Sequence, residues 1–157
     1  MLKISQKLSV TLSLVISIVF MAVCIAGLFV LPELTRLLID LPDNIGSRDE
    51  ITNAGRAVVL ALAYGIVAVL MLTDGFLFSL LLQVRRGLVF TPGVVSRTRY
   101  ISWCCFLLGL LFCTLGIWFQ LAFLVAFLLG FLGLCLRVVK NVLAEATRLK
   151  SENDLTV

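Results

Sequence analysis

The stretch ISWCCFLLGLLFCTLGIWFQLAFLVAFLLGFLGLCL, residues 101–136, decides the fold. As one helix at 1.5 Å per residue it would run about 54 Å, against a bilayer hydrocarbon core of roughly 30 Å. It must therefore fold back on itself. Small, aromatic and polar residues gather at Gly116-Ile117-Trp118-Phe119-Gln120, so the turn belongs there. A third membrane helix then spans about 100–117 and a fourth about 119–139.

Two more apolar runs precede this pair. Leu8 to Leu31 follows Lys3 and Lys7 and closes at Pro32; it exceeds the roughly 7–15 residues of a signal-peptide core and reads as a retained span over 8–31. Residues 57–82 form the second span, ending at Arg85-Arg86. The whole chain fits this count. Its 157 residues are 61% hydrophobic and 14% charged, against roughly 25% charged in a soluble domain, and the mean hydropathy is +1.14. Four crossings and their connections consume the length, leaving no separate catalytic domain. The chain has no histidine, the commonest general base and metal ligand, and no nucleotide-binding glycine loop or catalytic triad. The expectation is an all-α, polytopic four-helix bundle, a single membrane domain over 1–157, non-enzymatic, without cofactor or metal and without direct nucleic-acid contact.

Orientation follows from the basic residues of short loops. Lys3, Lys7, Arg85, Arg86, Arg97, Arg99, Arg137, Lys140, Arg148 and Lys150 fall at the two termini and in the 83–99 loop. The 32–56 loop holds Arg36, Arg48 and Arg56 against Glu33, Asp40, Asp43, Asp49 and Glu50. Both termini are expected in the cytoplasm, with 32–56 outside. Tyr100 and Trp103 then fall at the inner interface and Trp118 at the outer one, as amphipathic rings prefer. Thr91-Pro92 supplies an N-cap and a first-turn proline for the third helix, and Gly87 suits the end of the second. Pro32, Leu34, Leu37, Leu38 and Leu41 read as a short interfacial helix, and Ser47 with Glu50 as a capping box. The fourth helix is expected to continue past Arg137 into a cytoplasmic helical extension and tail over 140–157, and Cys135, Val139, Val142, Ala146 and Leu149 form an apolar seam that asks for a partner.

Small residues recur every fourth position: Ala57, Ala61 and Gly65; Cys105, Gly109 and Cys113; Ala122, Ala126 and Gly130. Lipid tails give no hydrophobic drive for helix association, so close backbone approach is a main source of packing energy. Ala61, Gly65, Gly109, Ala126 and Gly130 are the packing candidates, within one bundle or in a homo-oligomer seam. Phe123, Phe127 and Phe131 run beside the last stripe, facing lipid or filling the bundle. Cys24, Cys104, Cys105, Cys113 and Cys135 all lie in apolar runs without C-x-x-C spacing, and so read as structural. Asp74, about 16 Å along the helix from Arg85, is the one acid inside a span. Intramembrane carboxylates are costly enough to suggest a proton, cation or cationic-ligand site; the alternative is a carboxyl satisfied by Thr73, Ser79, Thr114 or Arg137.

The inner loop VRRGLVFTPGVVSRTRYIS, residues 84–102, with Gly87, Phe90, Thr91, Arg97 and Arg99, resembles the signature loop of the bacterial membrane family called domain of unknown function 2975. The ending ENDLTV, 152–157, is similar to that family's usual ending. The resemblance implies four spans in the bacterial inner membrane and no established activity. Members are often encoded beside a small helix-turn-helix regulator, which implies a membrane partner that holds or senses something for a cytoplasmic transcriptional regulator. The residues themselves offer two roles: lipid contact, with Phe90 dipping into the interface and the arginines meeting anionic headgroups at about 1 kcal/mol each, and a protein-docking surface. An ion-coupled transporter or exporter subunit using Asp74 is the alternative class.

Overall fold

The computed structural model describes residues 2–39, 53–88 and 90–154. It contains four helices: α1, Leu2–Ile39; α2, Asn53–Arg85; α3, Pro92–Leu115; α4, Gln120–Asp154. Each is long and apolar enough to cross a membrane. At 1.5 Å per residue α3 measures about 36 Å, whereas α1, α2 and α4 reach about 50–57 Å and must project beyond the hydrocarbon core.

Among the described residues α1 packs on α2, α2 on α3 and α3 on α4, and no other pair approaches. The bundle expected from the sequence is thus an open row rather than a closed ring. The free faces are apolar: Val15, Val19 and Val23 of α1 and Phe127, Leu128 and Phe131 of α4 are all exposed. In water such faces would drive closure; lipid solvates them as well as another helix would. The surface of 10,833 Å² exceeds the about 7,800 Å² expected of a compact soluble monomer of this mass. Open packing and apolar surface together make this a multi-pass membrane architecture.

Helix α1 buries Leu14, Ser17, Cys24, Leu31 and Thr35, with Met21 and Leu28 half-buried between them. That alternation of threes and fours is a heptad seam, the geometry of long antiparallel helices crossing at a shallow angle. Pro32 does not close the helix, contrary to the sequence reading, for α1 continues to Ile39. Proline has no N–H to offer the carbonyl four residues back, so the freed acceptor is that of Leu28. Tyr64 of α2 donates its hydroxyl to that oxygen at 3.4 Å, a neighbouring helix satisfying what proline released. Leu34 and Leu37 consequently extend α1 rather than form a separate interfacial helix; Leu41, Ser47 and Glu50 lie outside the described residues.

The described residues of the α2–α3 and α3–α4 connections are held by backbone hydrogen bonds. Gly87 adopts φ +76°, with Gly87 N–H donating to Val84 O at 3.0 Å and Leu88 N–H to Gln83 O at 3.1 Å. This pair is the Schellman end of a helix, and it needs a residue tolerant of left-handed backbone. Thr91 sits at the N-cap of α3 in extended conformation with Pro92 following, yet its side chain does not cap; the hydroxyl turns back to Leu88 O at 3.4 Å. At the other end α3 stops at Leu115 and α4 starts at Gln120, joined through Gly116 N–H to Phe112 O and Trp118 N–H to Leu115 O. The turn expected at 116–120 is therefore where the chain reverses. Helix α4 runs on to Asp154.

Candidate functional site

Two places gather the polar residues of this otherwise apolar chain. The first lies between α1 and α2. Asp74 is 5% exposed and accepts a hydrogen bond at 2.8 Å from the Ser17 hydroxyl across the helix pair. Three of the partners expected from sequence are engaged elsewhere: Thr73 donates to Val69 O and Thr114 to Leu111 O, both within their own helices, and the Arg137 guanidinium lies over Trp103, 5.7 Å from the ring centroid. Ser17 escaped notice because a lone serine in an apolar run carries little weight. The heptad spacing from Leu14 to Thr35 would have placed it on the buried seam. Beside this bond opens a cavity of about 410 Å³ lined by Ser17, Ile18, Met21, Ala22, Ile25, Asp74, Gly75 and Phe78. Its walls are apolar apart from the carboxyl and the hydroxyl, so it suits an apolar body carrying one polar or cationic group.

Of the small-residue stripes, those of α3 and α4 meet each other. A Cβ at Gly109 would lie 3.4 Å from Ala126 O and 3.7 Å from Gly130 N. Gly130 offers its backbone to this contact while its own Cβ direction is open. Ser102 donates to Gly133 O at 2.9 Å, and Phe106 packs on the face of Gly133. The α2 stripe does not pack within the described bundle: Ala57 and Ala61 are exposed and Gly65 has open space above it. Val59 and Ile66 are the buried residues of that helix segment, and two positions along a helix is about 200° around it. Phe127 and Phe131 face outward, while the Phe123 ring covers Gly116. All five cysteines are free. Among the described residues no cluster of metal-ligating side chains occurs.

The second place is the loop end of the molecule, where the α2–α3 connection and the end of α4 come together. A Cβ at Gly93 would sit 3.2 Å from Gln83 Oε1; the glutamine packs against the first turn of α3, and its Oε1 is buried without a hydrogen-bond partner. Sequence reading missed this glutamine. Phe76 stacks on Tyr100 with ring centroids 5.4 Å apart, locking α2 to α3 one level deeper. Phe90 projects half-exposed from the loop and, with Ala146, Leu149, Lys150, Glu152 and Asn153, lines an open groove of about 760 Å³. Cys135, Val139, Val142 and Leu149 of the α4 seam are exposed, Val142 by 64%. Arg148 bonds Glu145 at 2.7 Å and approaches Glu152 at 3.8 Å on the same exposed helix. Of the motif residues, Gly87 ends α2, Thr91 precedes α3, Arg97 is half-buried and Arg99 exposed.

The family described as "protein of unknown function (DUF2975)" matches the chain over residues 5–157. No curated protein and no solved structure matches it.

Proposed function

The chain belongs to the DUF2975 family, and from that premise we propose that it is a non-enzymatic interaction module of the bacterial inner membrane. Its loop end receives a segment of a cytoplasmic partner. The observation that carries this reading is the groove in which Phe90, from the motif loop, and Leu149, from the seam of α4, line one surface. An apolar floor rimmed by Lys150 and Glu152 is suited to a helix or strand docking against it. The positive-inside distribution supports both termini in the cytoplasm and hence this groove on the cytoplasmic side. The family resemblance supports a small helix-turn-helix regulator as the partner class, so that any nucleic-acid contact belongs to the regulator.

A photo-crosslinking residue at position 149 of the full-length protein in cells tests the reading. Crosslinking to such a regulator, lost on Phe90→Ala and on Val142→Asp with Ala146→Asp, supports it. A crosslink only to a second copy of the chain replaces the partner by a homo-oligomer. A periplasmic reporter active when fused at Ser151 overturns the orientation and the docking together.

A second reading rests on the Asp74 cavity, in which a buried carboxyl faces an apolar space between α1 and α2: a small transporter or exporter subunit that couples an ion or cationic substrate to Asp74. Asp74→Asn abolishes a transport phenotype under this reading and leaves partner docking intact under the first.

A further inference from the structure

Arg99, on the second turn of α3, and Arg137 and Lys140, one turn apart on α4, line one small cavity together with Ser102 and Trp103. The helices that carry these cations are fixed at this level. Ser102 hydrogen-bonds Gly133 O across the pair, Trp103 packs edge-on against Phe106 with centroids 6.3 Å apart, and the Arg137 guanidinium lies over the Trp103 ring. The Arg99 guanidinium is 5.8 Å from the Tyr100 centroid. No carboxylate lines the cavity. The acids of the neighbouring α4 segment, Glu145 and Glu152, turn to Arg148, and among the described residues no ion pair joins Arg99, Arg137 or Lys140 to an acid.

Three like charges held around one small recess repel one another unless an anion sits among them. The cavity measures about 40 Å³. A water needs roughly 10–15 Å³ on this measure, so the space takes a group of a few heavy atoms rather than a whole lipid headgroup. Two guanidinium forks and one ammonium match an oxyanion with several acceptor oxygens. The aromatic pair Tyr100 and Trp103 is of the kind found where membrane meets water, the depth of phospholipid phosphates.

We propose that Arg99, Arg137, Lys140 and Ser102 form a phosphate-binding site between α3 and α4, walled by Trp103. The phosphate comes from an anionic phospholipid or from a soluble phosphate. This site is separate from the Phe90 groove and from Asp74, and it does not depend on either functional reading.

The test uses full-length protein carrying Trp118→Phe, so that Trp103 is the sole tryptophan, in maltoside micelles, which contain no phosphate. Phosphatidylglycerol, phosphatidylcholine and inorganic phosphate are titrated separately while Trp103 emission is followed. Native mass spectrometry counts bound lipid. A saturable response to phosphatidylglycerol but not to inorganic phosphate identifies the lipid source; a response to inorganic phosphate identifies the soluble one. In either case Arg99→Gln with Arg137→Gln and Lys140→Gln weakens binding tenfold or more, while Arg36→Gln with Arg56→Gln, at the far ends of α1 and α2, leaves it within twofold. Arg99→Lys with Arg137→Lys preserves charge and fold and still weakens binding several-fold, because the bidentate forks are gone. Absence of any saturable response overturns the proposal. So does equal binding by the triple glutamine protein, or an equal loss in the Arg36/Arg56 protein.

Discussion

The α3–α4 hairpin and the α1–α2 pair solve the same problem by opposite means. In the hairpin, glycines let backbones meet: Gly109 lies against Ala126 O and Gly130 N, and Ser102 reaches a main-chain oxygen of the facing helix. In α1–α2 the contact is made by side chains along a heptad seam, stitched by Ser17 to Asp74 and by Tyr64 to Leu28 O. Close backbone approach leaves little space; side-chain stitching leaves the cavity of about 410 Å³ at Asp74. The difference teaches that the hairpin, closely packed, leaves only the small recess of about 40 Å³ at its end, whereas α1–α2 leaves room for a larger, apolar ligand.

The sharpest way to break the comparison is to enlarge a small residue on each side of the hairpin seam. Gly109→Leu drives a side chain into Ala126 O and costs about 1–3 kcal/mol, the usual range for overpacking. Gly130→Leu, whose side chain enters open space, stays within about 0.5 kcal/mol of wild type. Unfolding of purified protein in mixed micelles measures both, and equal costs would mean that the hairpin is not packed through Gly109.

Next in size is Gly116, where a Cβ would lie 2.8 Å from the Phe123 ring. Gly116→Ala should cost about 1 kcal/mol, and Phe123→Leu in the same chain should recover most of it. A loss that Phe123→Leu does not relieve would place the constraint in the turn backbone instead.

The stitched half predicts coupling between side chains. Ser17→Ala leaves the Asp74 carboxyl without its donor, so it costs more in the native chain than in one already carrying Asp74→Leu. The cycle should return about 0.6–1.7 kcal/mol, from the mean to the maximum for interhelical hydrogen bonds in membranes. A coupling energy of zero would reduce the bond to a coincidence of packing. Asp74→Asn retains an acceptor for Ser17 and should change stability little, which keeps a stability readout apart from any transport readout.

This same contrast governs what the sequence could disclose. Four helices, the turn at 116–120, the Gly87 terminus and the start of α3 at Pro92 all follow from strong local signals: apolar length, turn residues and the fixed φ of proline. The Gly109–Ala126 contact was legible as a small-residue stripe. Periodicity alone, however, does not say which face meets a neighbour, and the equally regular stripe at Ala57, Ala61 and Gly65 points away from the packed seam. Ser17 was hidden for a related reason: the identity of a buried carboxyl's donor depends on the register between α1 and α2, set by packing over the whole pair. The open row could not be read at all, because lipid removes the penalty that forces amphipathic helices in water to close.

The smallest effect tests the account of Pro32. Proline at this position removes the N–H that would bond Leu28 O, and Tyr64 supplies a donor from the next helix at 3.4 Å, a long and therefore weak bond. Tyr64→Phe should cost only a few tenths of a kcal/mol, below the about 0.6 kcal/mol mean for interhelical bonds. Its sign under a second substitution is more telling than its size. Pro32→Ala restores an amide that can bond Leu28 O within α1, so the oxygen no longer needs Tyr64, and Tyr64→Phe in that background should cost nothing. Pro32→Ala by itself should stabilise α1, raising protection of the 28–32 amides in hydrogen exchange. Were Tyr64→Phe equally costly with proline or alanine at 32, the tyrosine would be acting through ring packing, and the α1–α2 pair would be held at that level by shape alone.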